Sequence, residues 1–273
     1  MNDKKLRIAF VWYFDQASKV IDNWKDGLRS AMEIIAKKHH VDWYLDKKLP
    51  QGKYDWILVW CDAQSEFLDI PYDAKKGIFL TALPQDYSKI RGLDVVFCES
   101  QPILDAVRAQ GCHAVKAFGT DTDFFQPSAE YKNISFFYPA TFSPWKRQSE
   151  IAYLGDQLLC VGTLQPDGQV EYQACIDNGV KVELGYFPAR KILSYYQRSN
   201  CVIIPAIHGS ERTVLEAMSC NMLPQILHPL ENSRAFSYIL EYQDSGTLTP
   251  RDFVVKNYSH KAYADTILRI IEE

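Results

Sequence analysis

The chain has 273 residues, of which 47% are hydrophobic and 23% charged, and its formal net charge is -4. This composition excludes a disordered protein, and the charge argues against a dedicated nucleic-acid-binding protein, whose affinity normally rests on a basic surface. No apolar run approaches the ~20 residues that span a bilayer, and the charged N-terminus is unlike a signal peptide. The seven scattered cysteines favour reduced thiols in a cytoplasmic protein over a zinc site.

Short β-type runs alternate with helical patterns from the first strand onward. The first half of the chain predicts strands at 6–13, 41–45, 56–61, 77–81 and 94–98, and helices at 24–38 and 100–110. Ser100 is a suitable N-cap for the second of these helices, and Gly111 is suited to end it. Strands separated by helices or long crossovers are typical of a parallel, doubly wound sheet.

The second half of the chain repeats this architecture without repeating the sequence. It predicts a helix start at Ser143-Pro144, strands at 134–140, 158–162, 180–184, 201–205 and 222–227, and helices at 172–178, 189–198, 213–220 and 259–272. The turn-rich stretch 118–132 is the expected linker between the halves. Two such domains leave a cleft, and ligands of these folds bind beyond the carboxyl ends of the strands.

Several catalytic signatures are missing from the sequence. No G-x-G-x-x-G follows the first strand, so a nicotinamide-dependent dehydrogenase loses its main support. The phosphate loop G-x-x-x-x-G-K-[ST], the nucleophile elbow G-x-S-x-G and the zinc motif H-E-x-x-H are missing as well.

The stretch 205–224, PAIHGSERTVLEAMSCNMLP, is the first informative segment. A strand ends at Pro205, a polar loop follows, and a helix is predicted to begin near Thr213. Free amides and the dipole at a helix N-terminus attract anions, and Ser210 and Arg212 could add donors. On residue type alone, the more common alternative is that Ser210 only caps the helix and Glu216 is a solvated or dipole-pairing acid.

The stretch 136–148, FFYPATFSPWKRQ, is the second informative segment. Lys146 and Arg147 follow a predicted helix start, where positive charge opposes the helix dipole and a bound anion would offset the repulsion. The alternative is that both are surface cations with buried stems.

These segments belong to an ordered series that resembles the retaining, nucleotide-sugar-dependent glycosyltransferases of family four, which have the GT-B fold. The series covers residues 94–224 in the family's order, whereas residues 1–93 match only in style. The similar segments are 94–127 (a capped helix and a "G-V-D-x-x-x-F-x-P" linker), 137–147 ("V-G-R-L-x-x-x-K-G"), 159–164 ("V-G-x-G"), 182–205 (a G-x-V turn, a helix and a strand ending in Pro) and 213–224 ("L-E-A-M-A-x-G-x-P").

The resemblance implies roles for residues of the donor half. Glu216 would hold the ribose hydroxyls, and Lys146 would neutralise the donor diphosphate. The loop amides before Glu216 would hold the diphosphate and the sugar; these belong to Gly209, Ser210, Glu211, Arg212, Thr213 and Val214. The base-edge contacts would fall on Gly185, Tyr186 and Phe187, and either aromatic ring could stack on the base.

The sequence departs from the family in three places. The family Arg that accompanies the Lys matches Thr141, so Arg147 or Arg212 would supply the lost charge. The family's first Glu, which touches the transferred sugar, falls on His208, unless a one-residue shift brings Glu211 there. The N-terminal half lacks the family's Gly-rich loop and an evident His, and Asp62 is its candidate acceptor-side acid, with a turn or helix cap as the equal alternative.

The resemblance implies an α/β GT-B fold with two Rossmann-like, doubly wound parallel-sheet domains facing across a cleft. We expect an acceptor domain at 1–126, a donor domain at 127–257 and a final helix at 258–273 that packs back on the acceptor domain. The D-x-D pair Asp121 and Asp123 falls in the linker, so we interpret Asp121 as a turn-former and expect no metal and no cofactor.

The expected activity is retaining transfer from a nucleotide-diphospho-sugar, with UDP favoured over GDP and ADP, in a cytoplasmic monomer or homodimer. The alternatives are a sugar-nucleotide epimerase of the same fold and a degenerate nucleotide-sugar-binding protein without turnover. The acceptor stays open among glycans, lipid-linked sugars and, less favoured, modified DNA, since the cations around residues 37–48 fit a solvated surface better than an anionic partner.

Overall fold

The chain forms two compact units, each built around a parallel sheet. The computed structural model describes residues 5–12, 25–45, 50–61, 65–66, 68, 73–129 and 131–273. The N-terminal unit contains the described residues up to Gly119, except Lys25, together with His260–Glu273, and the C-terminal unit contains Lys25 and Thr120–Ser259. Among the described helices, none has both the length and the apolar character needed to cross a bilayer.

Six parallel strands form the sheet of the N-terminal unit, in the order β2-β1-β3-β4-β5-β6. The apolar runs predicted from the sequence become its buried centre; Ile8, for example, pairs with Val41 on one side and Trp56 on the other. The strands are β1 (Arg7–Val11), β2 (His40–Tyr44), β3 (Trp56–Trp60), β4 (Lys75–Leu80), β5 (Val95–Cys98) and β6 (Ala114–Lys116).

Among the described residues, three α-helices accompany this sheet: α1 (Gly27–Lys38), α2 (Gln101–Ala109) and α8 (His260–Ile271). Asp26 caps α1 by accepting from the Arg29 amide at 2.8 Å. The last helix packs against the first. The Trp56 indole N–H donates to the Ile271 carbonyl at 3.0 Å, so α8 is fastened to the sheet of this unit.

The sheet of the C-terminal unit has five parallel strands, in the order β11-β10-β7-β8-β9. Numbered within the unit and taken from the other edge, this is the 3-2-1-4-5 arrangement of doubly wound folds, which reverses direction between β7 and β10. The strands are β7 (Ile134–Pro139), β8 (Leu158–Gly162), β9 (Lys181–Leu184), β10 (Ser199–Ile204) and β11 (Gln225–Ile226). The helices are α3 (Gln169–Asp177), α4 (Ala189–Arg198), α5 (Glu211–Ser219), α6 (Ser233–Asp244) and α7 (Pro250–Asn257).

Two glycines allow the segment after β7 to pass close to the segment after β8. A Cβ at Gly162 would lie 2.1 Å from the Ala140 carbonyl oxygen, and one at Gly168 would lie 2.0 Å from that of Phe142. Only glycine permits such an approach of backbone to backbone. The segment that carries Thr141 is thereby held at the edge of the sheet.

The predicted α/β class with two parallel-sheet domains is confirmed, and several local predictions are corrected. The helix predicted near Thr213 begins at Glu211. The helix expected after Ser143 is a short 3₁₀ turn, Pro144–Lys146, because Arg147 takes a left-handed conformation (φ 50°) and a second 3₁₀ segment, Gln148–Gln157, follows. Lys146 and Arg147 therefore do not lie at an α-helix N-terminus.

Within the described residues, one strand and two α-helices were not predicted from the sequence, and one predicted strand is shortened to two residues. The structure adds β6, α6 and α7, and the strand expected at 222–227 is reduced to β11. The predicted start of the first helix at Trp24 and the candidate acid Asp62 lie outside the described residues.

Candidate functional site

The residues singled out in the two informative segments meet where the C-terminal sheet reverses direction. The segment 140–147 leaves the carboxyl end of β7, and the loop 205–210 leaves that of β10, the neighbouring strand. The Ile207 amide donates to the Trp145 carbonyl at 3.1 Å, which joins the two segments. In open α/β sheets this reversal point is where ligands bind.

Lys146 is the cation at this junction. Its Nζ donates to the Ser210 hydroxyl at 3.0 Å and to the His208 carbonyl at 3.4 Å. Gly209 has φ +72°, a conformation that favours glycine, and a Cβ there would lie 2.8 Å from the Lys146 Nζ, so a larger residue would displace the ammonium group. The ammonium group is thus held against the loop that leads into α5.

Ser210 does not act as a side-chain cap for α5. It precedes the helix in a left-handed conformation (φ 77°), and its side chain makes no capping hydrogen bond. The capping interpretation of Ser210 is therefore wrong, because its hydroxyl accepts from Lys146 instead. The first amides of an α-helix have no intrahelical acceptor, so the N-terminus of α5 can donate to an anion.

His208 and Glu211, the two candidates for the sugar-contacting position, have opposite environments. The His208 imidazole stacks on the Trp145 indole, which covers one of its faces, with 5.6 Å between ring centroids and 13° between ring planes. Its pKa lies below the ordinary value because of partial burial and the positive charges of Lys146 and Arg234. Glu211 is 2% exposed, and its carboxylate lies 2.6 Å from the Arg234 guanidinium of α6.

Glu216 is a buried carboxylate in the second turn of α5. It is 5% exposed and accepts from the Tyr196 hydroxyl at 2.9 Å. Arg212, one turn earlier, places its Nε 3.3 Å from the other Glu216 oxygen. Burial and the adjacent carboxylate raise the pKa of Tyr196 well above its ordinary value, so the phenol stays protonated. The phenol O–H therefore acts as the donor that orients the Glu216 carboxylate. A solvated surface acid does not describe Glu216.

Thr213 and Val214 contribute backbone and no exposed side chain. Both side chains are buried. The Val214 amide already donates to the Ser210 carbonyl at 3.0 Å, as the helix ladder requires. The helix amides that precede this bond belong to Glu211, Arg212 and Thr213.

Thr141 stands at the position of the family Arg, and Arg147 follows Lys146 in the sequence. Both side chains contact other residues of the protein. The Thr141 hydroxyl lies 2.8 Å from the Thr163 carbonyl and 2.8 Å from its hydroxyl. Arg147 lies 3.1 Å from Glu150 and 3.5 Å from Glu231, so two carboxylates balance its charge.

The turn after β9 carries the candidate base-stacking residues. Gly185 has φ +135° and directs the chain into Tyr186, which is 63% exposed. The Phe187 ring is covered by the Lys191 ammonium, 4.2 Å from its centroid. Because β8 alone separates β9 from β7, this turn lies roughly 10 Å along the same sheet edge from Thr141.

Asp121 forms a turn, as the sequence predicted. Its Oδ1 accepts from the amides of Asp123, at 3.2 Å, and Phe124, at 3.0 Å. Within the described ranges, no cluster of three or more His, Cys, Asp or Glu side chains is placed to hold a metal ion.

Sequence reasoning missed four side chains of this region: Trp145, Tyr196, Asn232 and Arg234. Each acts on a segment that is distant in sequence, as Tyr196 does on Glu216, 20 residues away. Trp145 had a local signal, since an aromatic residue beside Lys146 stands in a segment already singled out. The other three had none in their own neighbourhood.

No protein-family model and no curated protein sequence matches the chain. Solved structures do match it along nearly its whole length. One is HepE from Anabaena in complex with UDP and glucose, with 13% identity, a TM-score of 0.66 and coverage of 98% of this chain and 99% of that one. Another is AviGT4, a glycosyltransferase involved in avilamycin A biosynthesis, with 12% identity, a TM-score of 0.66 and coverage of 98% and 97%.

A third similar structure is an alpha-glucosyltransferase in complex with UDP and a 13-mer DNA containing an HMU base. It is 11% identical, has a TM-score of 0.60, and the match covers 99% of this chain and 100% of that one. At such identities the likeness shows the fold alone. The two Rossmann-like parallel-sheet domains are those of GT-B proteins, which confirms the expected fold class.

Proposed function

We propose that the chain is a glycosyltransferase that transfers a sugar from a nucleotide-diphospho-sugar, with UDP as the favoured nucleotide. The observation that carries the proposal is the Lys146 ammonium held against the start of α5 at the reversal point of the C-terminal sheet. Three features support it: a cation, helix amides and a buried carboxylate converge beside one another. HepE and the alpha-glucosyltransferase, which share this fold, are complexes with UDP.

The proposed chemistry is electrostatic. When the bond between the sugar C1 and the diphosphate breaks, its electron pair leaves on a phosphate oxygen. Lys146 and the amides of Glu211, Arg212 and Thr213 would stabilise that charge, which a fixed, partly water-excluded site does more effectively than bulk water. Positive charge supplied by the protein replaces a metal ion in this scheme. The acceptor hydroxyl oxygen would attack C1 from the face that the diphosphate leaves and give its proton to the departing phosphate oxygen, so that the anomeric configuration is retained.

The nucleoside would be held by Glu216 and Tyr186. Tyr196 contacts one oxygen of the Glu216 carboxylate and Arg212 the other, and the carboxylate held in this way would accept the vicinal hydroxyls of a ribose. Tyr186 is the favoured stacking partner of the base, since its ring is exposed while that of Phe187 is covered by Lys191.

The test combines ligand binding with turnover. Because a bound ligand stabilises the folded state by mass action, whichever of UDP, GDP, ADP and their sugars bind should raise the melting temperature, and the tighter ligand should raise it more. Lys146→Met should lose most of the UDP-dependent shift and lower kcat about 10²–10³-fold. The matched control is Lys256→Met, which removes an exposed lysine of α7 in the same unit. No shift with any nucleotide, or an equal shift in Lys146→Met, would contradict the proposal.

A nucleotide-sugar-binding protein without turnover is the second candidate. Glu211, one of the two residues that could contact the transferred sugar, is buried against Arg234 and leaves His208 alone in that position. Glycans, lipid-linked sugars and modified DNA are the acceptor classes to assay, together with donor hydrolysis. Nucleotide-dependent stabilisation with neither transfer nor hydrolysis would favour the binding protein over the enzyme.

A further inference from the structure

The first residues of α6 lie against the loop that precedes α5. Asn232, the N-cap of α6, is 1% exposed. Its side-chain amide nitrogen donates to the Ala206 carbonyl at 2.9 Å and to the Gly209 carbonyl at 3.0 Å. Its side-chain oxygen accepts from the Ala235 amide at 3.4 Å. One buried amide therefore bridges two carbonyls that stand three residues apart, and it caps a helix at the same time.

A second tie joins α6 to the start of α5. The Arg234 guanidinium lies 2.6 Å from the Glu211 carboxylate, whose side chain is 3% exposed. Glu211 is the first residue of α5. Asn232 and Arg234 together hold the loop 206–209 and the first residue of the helix that follows it.

The loop 206–209 and the residue after it need such support because of their backbone conformation. Gly209 and Ser210 have φ values of 72° and 77°, and Ser210 is not a glycine. Conformations of this kind persist only where surrounding contacts determine them. The contacts of Lys146 fall on this stretch of chain, since Ser210 supplies the hydroxyl and His208 supplies the carbonyl.

We propose that Asn232 is a positioning residue for transfer: it holds the loop 206–209 so that Lys146 and the first amides of α5 face the departing diphosphate. The inference rests on the proposed function and goes beyond it, because Asn232 lies outside the segment 205–224 that suggested the site. Asn232 makes no contact with substrate in this scheme. It acts through the carbonyls of Ala206 and Gly209, which accept its two hydrogen bonds.

The test uses Asn232→Asp, Asn232→Ser and Asn232→Ala in the full chain. Asn232→Asp keeps the shape but replaces the donor with a carboxylate facing two carbonyls. Asn232→Ser keeps one short donor, and it is the variant to use if the other two fail to fold. A misplacement of about 1 Å costs up to about 10²-fold in rate, so kcat should fall about 10- to 100-fold in Asn232→Asp and Asn232→Ala and less in Asn232→Ser.

Two further readouts separate positioning from a general loss of stability. NMR titration of His208 should show its pKa moving toward the ordinary value, because a displaced loop changes the distance from the imidazole to Lys146 and Arg234. Asn257→Ala is the control, since the Asn257 amide also donates to a backbone carbonyl, that of Phe253 at 3.0 Å, but in α7. That variant should keep the kcat and the His208 titration of the wild type.

The outcomes keep the two proposals apart. The positioning role is overturned if the wild-type protein turns over and the folded Asn232 variants keep a kcat within twofold of the wild type and an unchanged pKa of His208. If the wild type neither binds UDP nor turns over, the proposed function fails. A shifted His208 titration in the Asn232 variants would still support the loop-holding role in that case.

Discussion

His208 is a histidine whose surroundings oppose its charge. Partial burial comes first among the causes of its lowered pKa, followed by Lys146 and Arg234. We expect NMR titration of the folded protein to give a pKa below the ordinary 6.5. Lys146→Met should raise that pKa toward 6.5, and Lys256→Met should not. A titration at or above 6.5 in the wild type would contradict this assignment.

The same shift predicts a pH dependence of folding. Because the folded-state pKa is depressed, the unfolded chain takes up the proton first as the pH falls below about 6.5. Stability should therefore fall between that value and the lower folded-state pKa and be fully present above it. Urea unfolding at several pH values, compared between wild type and His208→Gln, isolates this contribution. An equal pH dependence in both proteins would rule it out.

Tyr196 is the second residue whose substitution has a defined consequence. Its hydroxyl donates to the buried Glu216, so Tyr196→Phe leaves that carboxylate short of a donor. We expect a loss of about 1–3 kcal/mol in the free energy of unfolding, measured in urea, and weaker binding of UDP by calorimetry. The control is Tyr153→Phe, since Tyr153 is 73% exposed. Unchanged UDP affinity in Tyr196→Phe would contradict the role of Glu216 in nucleotide binding.

At the scale of elements, the two aromatic residues of the turn after β9 have different surroundings. Lys191 binds Glu183 and covers Phe187, while Tyr186 faces solvent. Tyr186→Ala should weaken UDP binding by about 1–3 kcal/mol, as removal of a base-stacking ring does elsewhere. Phe187→Ala should affect UDP affinity less and stability more. Calorimetric titration of both variants decides which ring stacks, and the reverse order would assign the stack to Phe187.

The predictability of each element follows from where its determinants lie. The central strands were predicted because their apolar runs are local. The start of α5 was not, because Ser210 is held in its left-handed conformation by contacts with Lys146, 64 residues away. The segment before α7 did contain a signal: Thr249 precedes Pro250 and accepts from the Asp252 amide at 3.1 Å, a recognisable N-terminal pattern.

The candidate site divides in the same way. Lys146, Glu216 and the loop before α5 were found because each stands in a distinctive local segment. Asn232 and Arg234 could not be found from the sequence, because their partners are distant in the chain. Asn232 donates to carbonyls 26 and 23 residues away, and Arg234 forms an ion pair with Glu211. Side chains that support a site carry no signature of the site itself.

At the scale of the whole molecule, the last helix completes the first sheet. Packing of α8 against α1 and the bond from Trp56 to Ile271 place residues 260–273 in the N-terminal unit. Deletion of residues 260–273 should therefore expose the buried residues of α1 and abolish slow hydrogen exchange in β1 and β3. Amides of β7 and β10 should keep their protection. Loss of protection in both sheets alike would show that the two units do not unfold independently.

The controls for that deletion are milder changes at the same helix. Glu272 lies 2.6 Å from Lys38 and 2.8 Å from His39, and these partners lower its pKa. Glu272→Gln removes that charge while α8 stays in place, so it should retain exchange protection in β1 and β3. The result would show whether the exchange protection of β1 and β3 depends on the packing of α8 or on the ion pairs at its end.

The place of α8 in the chain also affects the order in which the protein matures on the ribosome. Apart from a short piece that includes Lys25, the C-terminal unit is the continuous segment Thr120–Ser259, whereas the N-terminal unit needs a helix that is translated after that segment. The C-terminal unit can therefore fold before α8, which the N-terminal unit needs, has been synthesised. During that interval the apolar face of α1 is open to chaperones and to aggregation, although its own residues were among the first to be synthesised.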